Sequence, residues 1–268
     1  MRIVHIITRL IVGGAQENTL LTAAGQVRDH ADEVVLVTGP GDDGPEGNLL
    51  ESDLVADLAV HLVPQMGRAI RPWQDWSSFL RIKKLLAEIR PDIVHTHSSK
   101  AGILGRTAAS QLKLPVVHTV HGSAFHRGQS WLAQSVFRRA ERWAARRCDR
   151  LISVCDSMTE QYVAAKIAPR EKFTTVYSGM DVEPFLSPPR SREDVRAELG
   201  LAETDVVVGK IARLFDLKGH RYLLDAAAAI LRRQPDVKFL LVGDGPLRGR
   251  FQQRLDRDGL SDRFIFTG

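Results

Sequence analysis

Val208-Gly-Lys-Ile-Ala-Arg-Leu-Phe-Asp-Leu-Lys-Gly219 begins as an apolar strand and delivers Arg213 and Lys218 into the turn before a helix. Two cations at the carboxyl edge of a strand, beside a helix N-terminus, suit a diphosphate. The helix supplies N–H groups that lack intrahelical partners, and the side chains supply full charge. Alone, Arg-x4-Lys is a weak pattern; set between a strand and a helix and followed by Gly219, it reads as a phosphate site.

Outward from this stretch, apolar runs of four to six residues alternate with amphipathic segments, which argues for parallel strands joined by helical crossovers. Strands are expected near 2–7, 33–38, 59–63, 92–96, 115–120, 150–154 and 173–177. Helices are expected near 15–29, 46–57, 73–90, 100–112, 130–147 and 156–165. Together they make one doubly wound α/β sheet over residues 1–183. Ser187-Pro-Pro-Arg-Ser191 then reads as part of a linker, 184–200, because consecutive prolines oppose helix and remove ladder donors. The pattern restarts over 201–268: strand 206–211, helix 219–233, strand 237–242, helix 246–258, strand 263–267. Three strands and two helices are about half of a nucleotide-binding domain. The one loop of strongly irregular composition is Gly39-Pro-Gly-Asp-Asp-Gly-Pro-Glu-Gly47.

A chain of 268 residues is too long for one comfortable core, and 44% hydrophobic with 26% charged residues is an ordinary globular composition. No apolar run reaches the roughly 18 residues of a membrane span. Met1-Arg-Ile-Val-His-Ile-Ile-Thr8 is too short for a signal peptide, so a cytoplasmic location is expected. Cys148 and Cys155 match no zinc or redox spacing and read as two buried, reduced thiols. The net charge of +5 is local: residues 127–150 hold seven arginines against Glu141 and Asp149. Without an aromatic-rich RNA-binding motif, zinc finger or helix-turn-helix pattern, that excess does not point to nucleic acid.

Gly13 and Gly14 lie where the first strand turns into the first helix; glycine there permits positive φ and lets a backbone approach a ligand without a Cβ in the way. In Asp92-Ile-Val-His-Thr-His97 the strand period of two puts His95 and His97 on one face and Thr96 on the other. In Pro115-Val-Val-His-Thr-Val-His-Gly122, His118 lies within the strand as a satisfied core residue, while His121 emerges at its carboxyl end. Ligands of open α/β sheets bind at those ends, which makes His121 the best-placed polar side chain of this half. His97, Ser98 and Lys100 stand at the neighbouring strand end, where they line an acceptor pocket or simply form a serine-capped helix start. Val242-Gly-Asp-Gly-Pro246 ends a strand and enters a helix, with Asp244 as a cap and Pro246 in the first turn. Asp256-Arg-Asp258, the one Asp-x-Asp, falls at a helix end and reads as solvated surface, not a metal site. Around 130–147, Leu132, Val136 and Trp143 form one stripe and Arg138, Arg142 and Arg146 another. A solvated face is the default reading there, and peripheral contact with anionic membrane is the functional one.

The glycine loop, His121-Gly122, Tyr177-Ser-Gly-Met-Asp181 and Arg213-x4-Lys218 together resemble the family 4 glycosyltransferases, retaining enzymes of the GT-B fold. The resemblance covers nearly the whole chain; Ser178 departs from it, since asparagine is common there. It implies that Gly13 and Gly14 face the donor's phosphates and sugar, that His121 lies near the donor sugar, and that Gly243 and Asp244 lie near the donor nucleotide. It also implies that Arg213 and Lys218 stabilise the departing nucleoside diphosphate, without a metal or other cofactor. The partners implied are a nucleotide-sugar donor and a glycan or lipid-linked acceptor. The family's Glu-x7-Glu element and its C-terminal helix would fall after Gly268, so the chain by itself is expected to carry an incomplete donor half at 201–268 and to be inactive. Two other readings stand beside this one: a non-catalytic binding module or gene fragment, and a nucleotide-sugar 2-epimerase of the same architecture. Arg-x4-Lys with the glycine loop favours the transferase over the epimerase.

Overall fold

Ile3, Val4, Ile6 and Ile7 are buried in a strand, β1 (Arg2–Ile7), that runs through the middle of a seven-stranded parallel sheet. The computed structural model describes residues 1–41, 47–126 and 128–268, so the irregular loop expected at 39–47 lies mostly outside the described residues. After β1 come α1 (Gly14–His30), β2 (Glu33–Thr38), β3 (Ala59–Leu62), α2 (Pro72–Ile89), β4 (Ile93–His97) and α3 (Ser99–Gln111). There follow β5 (Val116–Val120), α4 (Trp131–Ala145), β6 (Arg150–Ser153), α5 (Asp156–Ala164) and β7 (Phe173–Thr175). The spatial order β3-β2-β1-β4-β5-β6-β7 reverses direction between β1 and β4, which is where doubly wound sheets place ligands.

The period of two sorts the side chains of β1. Val4 and Ile6 join Val94, Phe79 and Ile82 in one apolar cluster, whereas Ile7 joins Leu20, Ala23 and Leu36 under α1. On the first of these faces Gly105 lets α3 lie close to the sheet, since a Cβ there would stand 2.7 Å from Thr96 Cγ2.

The chain divides into two compact units, Met1–Met180 and Asp181–Gly268. The second holds α6 (Glu183–Leu186), α7 (Arg192–Glu198), β8 (Val206–Ile211), α8 (His220–Arg233), β9 (Val237–Val242), α9 (Arg248–Arg257) and β10 (Phe264–Phe266). Its sheet is parallel in the order β10-β9-β8, and Leu214, Leu224, Phe239, Leu241, Phe251 and Phe264 form its core.

Several expectations are corrected. Residues 46–57 do not form an α-helix: the described part makes two single 3-10 turns, Leu49–Glu51 and Asp53–Val55. Asn48 accepts from Leu50 N at 3.0 Å and Ser52 from Leu54 N at 3.3 Å, and this local side-chain bonding to the backbone competes with a continuous helix. The stretch 184–200, expected as a linker, holds α7, which Ser191 caps by accepting from Asp194 N at 3.1 Å. The helix expected from 246 begins at Arg248, leaving Pro246 outside it. Cys148 is buried but Cys155 is only half-buried; both are free thiols.

The arginine-rich helix α4 turns Glu141, Ala144 and Ala145 inward. Glu141 Oε2 lies 3.2 Å from Arg106 Nη2, an ion pair whose side chains are both buried. Leu132, Val136 and Trp143 are exposed, together with Trp131 at the start of the helix. Among the described residues no helix is long and apolar enough to cross a membrane.

Candidate functional site

At the centre of the first unit, β1 and β4 pair so that His5 stands opposite His95, and β4 and β5 pair so that His97 stands opposite Thr119. Alternation then gathers His5, His95 and His97 on the face covered by α1. Their rings are close: centroids lie 4.8 Å apart for His5 and His95, 4.2 Å for His95 and His97, and 5.2 Å for His5 and His97. His5 Nδ1 is 2.9 Å from His97 Nε2, and His97 Nδ1 is 3.0 Å from His121 Nε2. His5 Nε2 meets Gln26 Oε1 of α1 at 2.8 Å, and His95 Nε2 meets Thr119 Oγ1 at 2.7 Å. Burial pushes His5 down to about 4 and His121 likewise to about 4; it also holds His95 and His97 well below 6.5, with the neighbouring imidazoles adding to the effect. Near neutral pH these rings are therefore uncharged.

Thr96 faces the other way and its Oγ1 meets His118 Nδ1 at 2.9 Å, so His118 is a hydrogen-bonded core residue. Burial, then the charge of Arg106, keeps it neutral too.

His97 is 1% exposed with both ring nitrogens in side-chain hydrogen bonds, so it supports His121 and does not itself line an open surface. The serine cap does not form at α3: Ser98 makes no capping bond, and its Oγ instead meets Thr8 Oγ1 at 2.7 Å, joining the ends of β4 and β1. Lys100 Nζ pairs with Asp75 Oδ1 of α2 at 2.6 Å and donates to the Ala69 carbonyl, which anchors its charge within the unit.

Gly13 caps α1 with φ 169°, an extended conformation open to any residue, so it does not use the positive φ that glycine permits. A Cβ on Gly14 would meet nothing within 4 Å, so there the chain's own packing makes no demand for glycine.

Nitrogens of His5, His95 and His97 lie within 4.8 Å of one another, near enough to suggest a metal. The ring nitrogens of His5 and His97 are already engaged with each other and with Gln26 and His121.

In the second unit, β8 ends at Ile211 and the chain passes Arg213 to a 3-10 turn, Asp216–Lys218. Gly219, at φ 69°, then opens α8. The Arg213 guanidinium lies 4.7 Å from the centre of the Phe215 ring, and both Arg213 and Lys218 are exposed. His220 begins α8 buried, stacked on Phe251 with centroids 5.6 Å apart.

The turn after β9 is fastened to this segment. Ala212 N donates to Val242 O at 3.0 Å, Leu214 N to Asp244 O at 2.9 Å, and Leu247 N to Leu214 O at 3.2 Å. A Cβ on Gly243 would lie 2.6 Å from Ala212 O, and one on Gly245 2.7 Å from Leu214 O. Both glycines have positive φ, 128° and 158°. They are thus required by the close approach of the two strand ends, which fixes the backbone on either side of Arg213. Asp244 does not cap α9; its Oδ1 accepts from Gly245 N at 2.7 Å inside the turn.

A glycosyl transferase 4-like domain matches residues 13–179, and a glycosyl transferases group 1 domain matches 191–268. The chain is 33% identical over 228 residues to the UDP-Gal:alpha-D-GlcNAc-diphosphoundecaprenol alpha-1,3-galactosyltransferase of Escherichia coli, an alignment covering 83% of this chain and 59% of that protein. It is 32% identical over 186 residues to a D-inositol 3-phosphate glycosyltransferase of Mycolicibacterium smegmatis, covering 65% of this chain and 41% of that one. The chain therefore spans between two fifths and three fifths of the length of these relatives. Among solved structures, Anabaena HepE in complex with UDP and glucose superimposes with a TM-score of 0.77 over 100% of this chain and 69% of that one, at 22% identity. The two matched domains place the chain in the family 4 glycosyltransferases, and its parallel seven-stranded unit followed by a parallel three-stranded one, with the likeness to this solved structure, is GT-B in fold.

Proposed function

We propose that the protein carrying this sequence moves a sugar from a nucleoside diphosphate sugar to a hydroxyl acceptor, and that Arg213 and Lys218 bind the donor's diphosphate. The observation that carries this reading is the strand-turn-helix at 206–220, with its two cations on a backbone clamped to the Gly243–Gly245 turn. In the reaction the bond from the sugar's anomeric carbon to the diphosphate oxygen breaks and a bond from the acceptor oxygen forms; the acceptor's proton is left to the departing diphosphate. Charge then develops on the diphosphate, where fixed cations act most strongly. His121 is assigned to the donor sugar, Gly13 and Gly14 to its phosphates and sugar, and Gly243 and Asp244 to the nucleotide side. His97, Ser98 and Lys100 act behind the acceptor surface. No metal or other cofactor is required in this scheme, because the two side chains supply the positive charge.

The test is calorimetric titration of UDP and of uridine into the 268-residue chain. UDP should bind and uridine should bind much more weakly, and Arg213→Ala/Lys218→Ala should erase the difference. Equal UDP affinity in wild type and double variant would remove the main support for the reading.

The acceptor is proposed to be a glycan or a lipid-linked glycan, met at the cytoplasmic face of an anionic membrane. Supporting this, α4 exposes Trp131, Leu132, Val136 and Trp143 between arginines, and a cavity of about 400 Å³ beside it is lined by Arg142, Arg146, Lys166 and Lys172. Arg142 is unsuitable for testing the idea, since its guanidinium donates to the Lys166 and Ala165 carbonyls at 2.7 and 3.0 Å. Arg138→Gln/Arg146→Gln should weaken sedimentation with phosphatidylserine vesicles roughly thirtyfold at low salt, at about 1 kcal/mol per basic residue near the surface. Added salt should weaken wild-type binding too. Absence of vesicle binding at low salt would leave α4 as a solvated face.

A further inference from the structure

Gln26, His5, His97 and His121 form one continuous hydrogen-bonded line, with contacts of 2.8, 2.9 and 3.0 Å in that order. It runs from α1, through the centre of β1 and the end of β4, to the residue just past β5. His5 and His97 are buried, and the His97 ring lies near-parallel to both neighbours, at interplanar angles of 11° to His5 and 29° to His121. With centroids 5.2 and 5.3 Å apart and the facing nitrogens 2.9 and 3.0 Å apart, the rings meet edge to edge, as in-plane N–H···N bonds require.

A neutral imidazole has one N–H and one lone pair, so each gap in such a line must contain one proton and no more. Two protons in a gap repel, and an empty gap leaves two buried lone pairs facing each other. One orientation at the end therefore dictates all the rest. Gln26 presents its carbonyl oxygen, which can only accept. His5 must then carry its proton on Nε2 and accept through Nδ1. His97 in turn carries its proton on Nε2 and accepts through Nδ1. His121 donates from Nε2, and its Nδ1 is left as an unprotonated acceptor.

We propose that Gln26, His5 and His97 are positioning residues that fix His121 in its Nε2–H tautomer, so that Nδ1 is presented as a hydrogen-bond acceptor to a hydroxyl of the donor sugar. Identifying that hydroxyl with the donor rests on the function proposed above; the tautomer does not. Burial supports the arrangement by keeping His5 and His121 neutral down to about pH 4, so no extra proton enters the line near neutrality. In the absence of Gln26 nothing in the line would favour one direction of proton order over the other. The amide is thus the element that converts a symmetric row of imidazoles into a directional one, at the far end from His121.

The assignment is tested by two-bond proton–nitrogen correlation spectra of the 268-residue chain labelled with 15N-histidine at pH 7, where each ring's pattern reports its tautomer. His5, His97 and His121 should all be Nε2–H. Gln26→Met should shift both His121 nitrogens to averaged values between the two tautomers. An Nδ1–H pattern at His121 in the wild type would overturn the proposal, as would an unchanged His121 in Gln26→Met. If Gln26→Met does not fold, the wild-type spectra decide: Nε2–H at His5, His97 and His121 together supports the line, and Nδ1–H at any of the three overturns it. Stoichiometric Zn²⁺ uptake that shifts His5, His95 and His97 together would assign the cluster to a metal and also overturn it. Addition of UDP-glucose should move His121 Nδ1. No movement, with the tautomers as stated, would sink the donor assignment of His121 and leave the proton order standing.

Discussion

Lowering the pH from 6.5 toward 4 is expected to cost the first unit much of its stability before most carboxylates are protonated. The sign follows from the buried histidines. His5 and His121 titrate at about 4 in the folded chain because burial disfavours their charged forms. Unfolded, they titrate near 6.5. Between those values the unfolded state binds more protons, so stability rises with pH and is lost as pH falls. Each such group contributes a slope of about 1.4 kcal/mol per pH unit, and two groups over two units come to roughly 5 kcal/mol. That equals the lower end of the about 5–15 kcal/mol that stabilises a whole domain. His95, His97 and His118 shift in the same direction, the last with Arg106 as an added cause, and so steepen the loss. Urea unfolding of the chain followed at pH 7, 6 and 5 should show the midpoint falling at each step. His95→Gln, which can still bond Thr119 Oγ1 but cannot titrate, should flatten the slope by about 1.4 kcal/mol per unit at its steepest. A midpoint unchanged between pH 7 and 5 would contradict the burial account.

The strands could be read directly, since short apolar runs such as Val34–Val37 between turn residues have little alternative to a buried parallel strand. The shared face of His95 and His97, and the opposite face of Thr96, also follow from the period of two alone. His5 could not be found in the same way. A lone histidine among isoleucines says nothing until the strand order puts β1 beside β4 and the register sets His5 opposite His95. Gln26 was still less visible, because it reaches His5 from α1 across a sequence separation that no local pattern spans. Glu141 shows a related limit: in sequence it looks like one acid diluting a basic helix, yet its pairing with Arg106 takes it into the core. At Gly243 and Gly245 the motif was visible but its reason was not, because only the paired strand ends reveal the approach to Ala212 and Leu214. The failed helix at 46–57 was a local error, made by crediting hydrophobic spacing over the capping chemistry of Asn48 and Ser52.

In a preparation competent for sugar transfer, Arg213→Ala or Lys218→Ala should each lower kcat by roughly tenfold to a thousandfold, the range for losing one fixed stabiliser of developing charge. The effect should fall on kcat more than on KM. The donor already carries its diphosphate charge on binding, but the bridging oxygen gains charge as the glycosidic bond breaks, so the interaction strengthens toward the transition state. Both residues are exposed in the segment between β8 and α8, so the fold should hardly respond. Arg213→Ala gives up its contact with the Phe215 ring, worth about 0.5–1 kcal/mol, and Lys218→Ala should cost less. The backbone clamp predicts a contrast. Gly245→Ala would force a Cβ to 2.7 Å from Leu214 O at a φ of 158°, so it should lower thermal stability and displace the segment bearing Arg213. A charge role thus gives low kcat with an unchanged melting temperature, whereas a packing role lowers both. The measurement is kcat, donor KM and Tm for Arg213→Ala, Arg213→Lys, Lys218→Ala and Gly245→Ala in parallel. Arg213→Lys keeps the charge but loses the planar fork that grips two phosphate oxygens at once, and should fall between wild type and alanine. If both alanine variants turn over at the wild-type rate, the cations at this helix entrance do not stabilise the leaving group, and the positive charge must come from elsewhere in the protein.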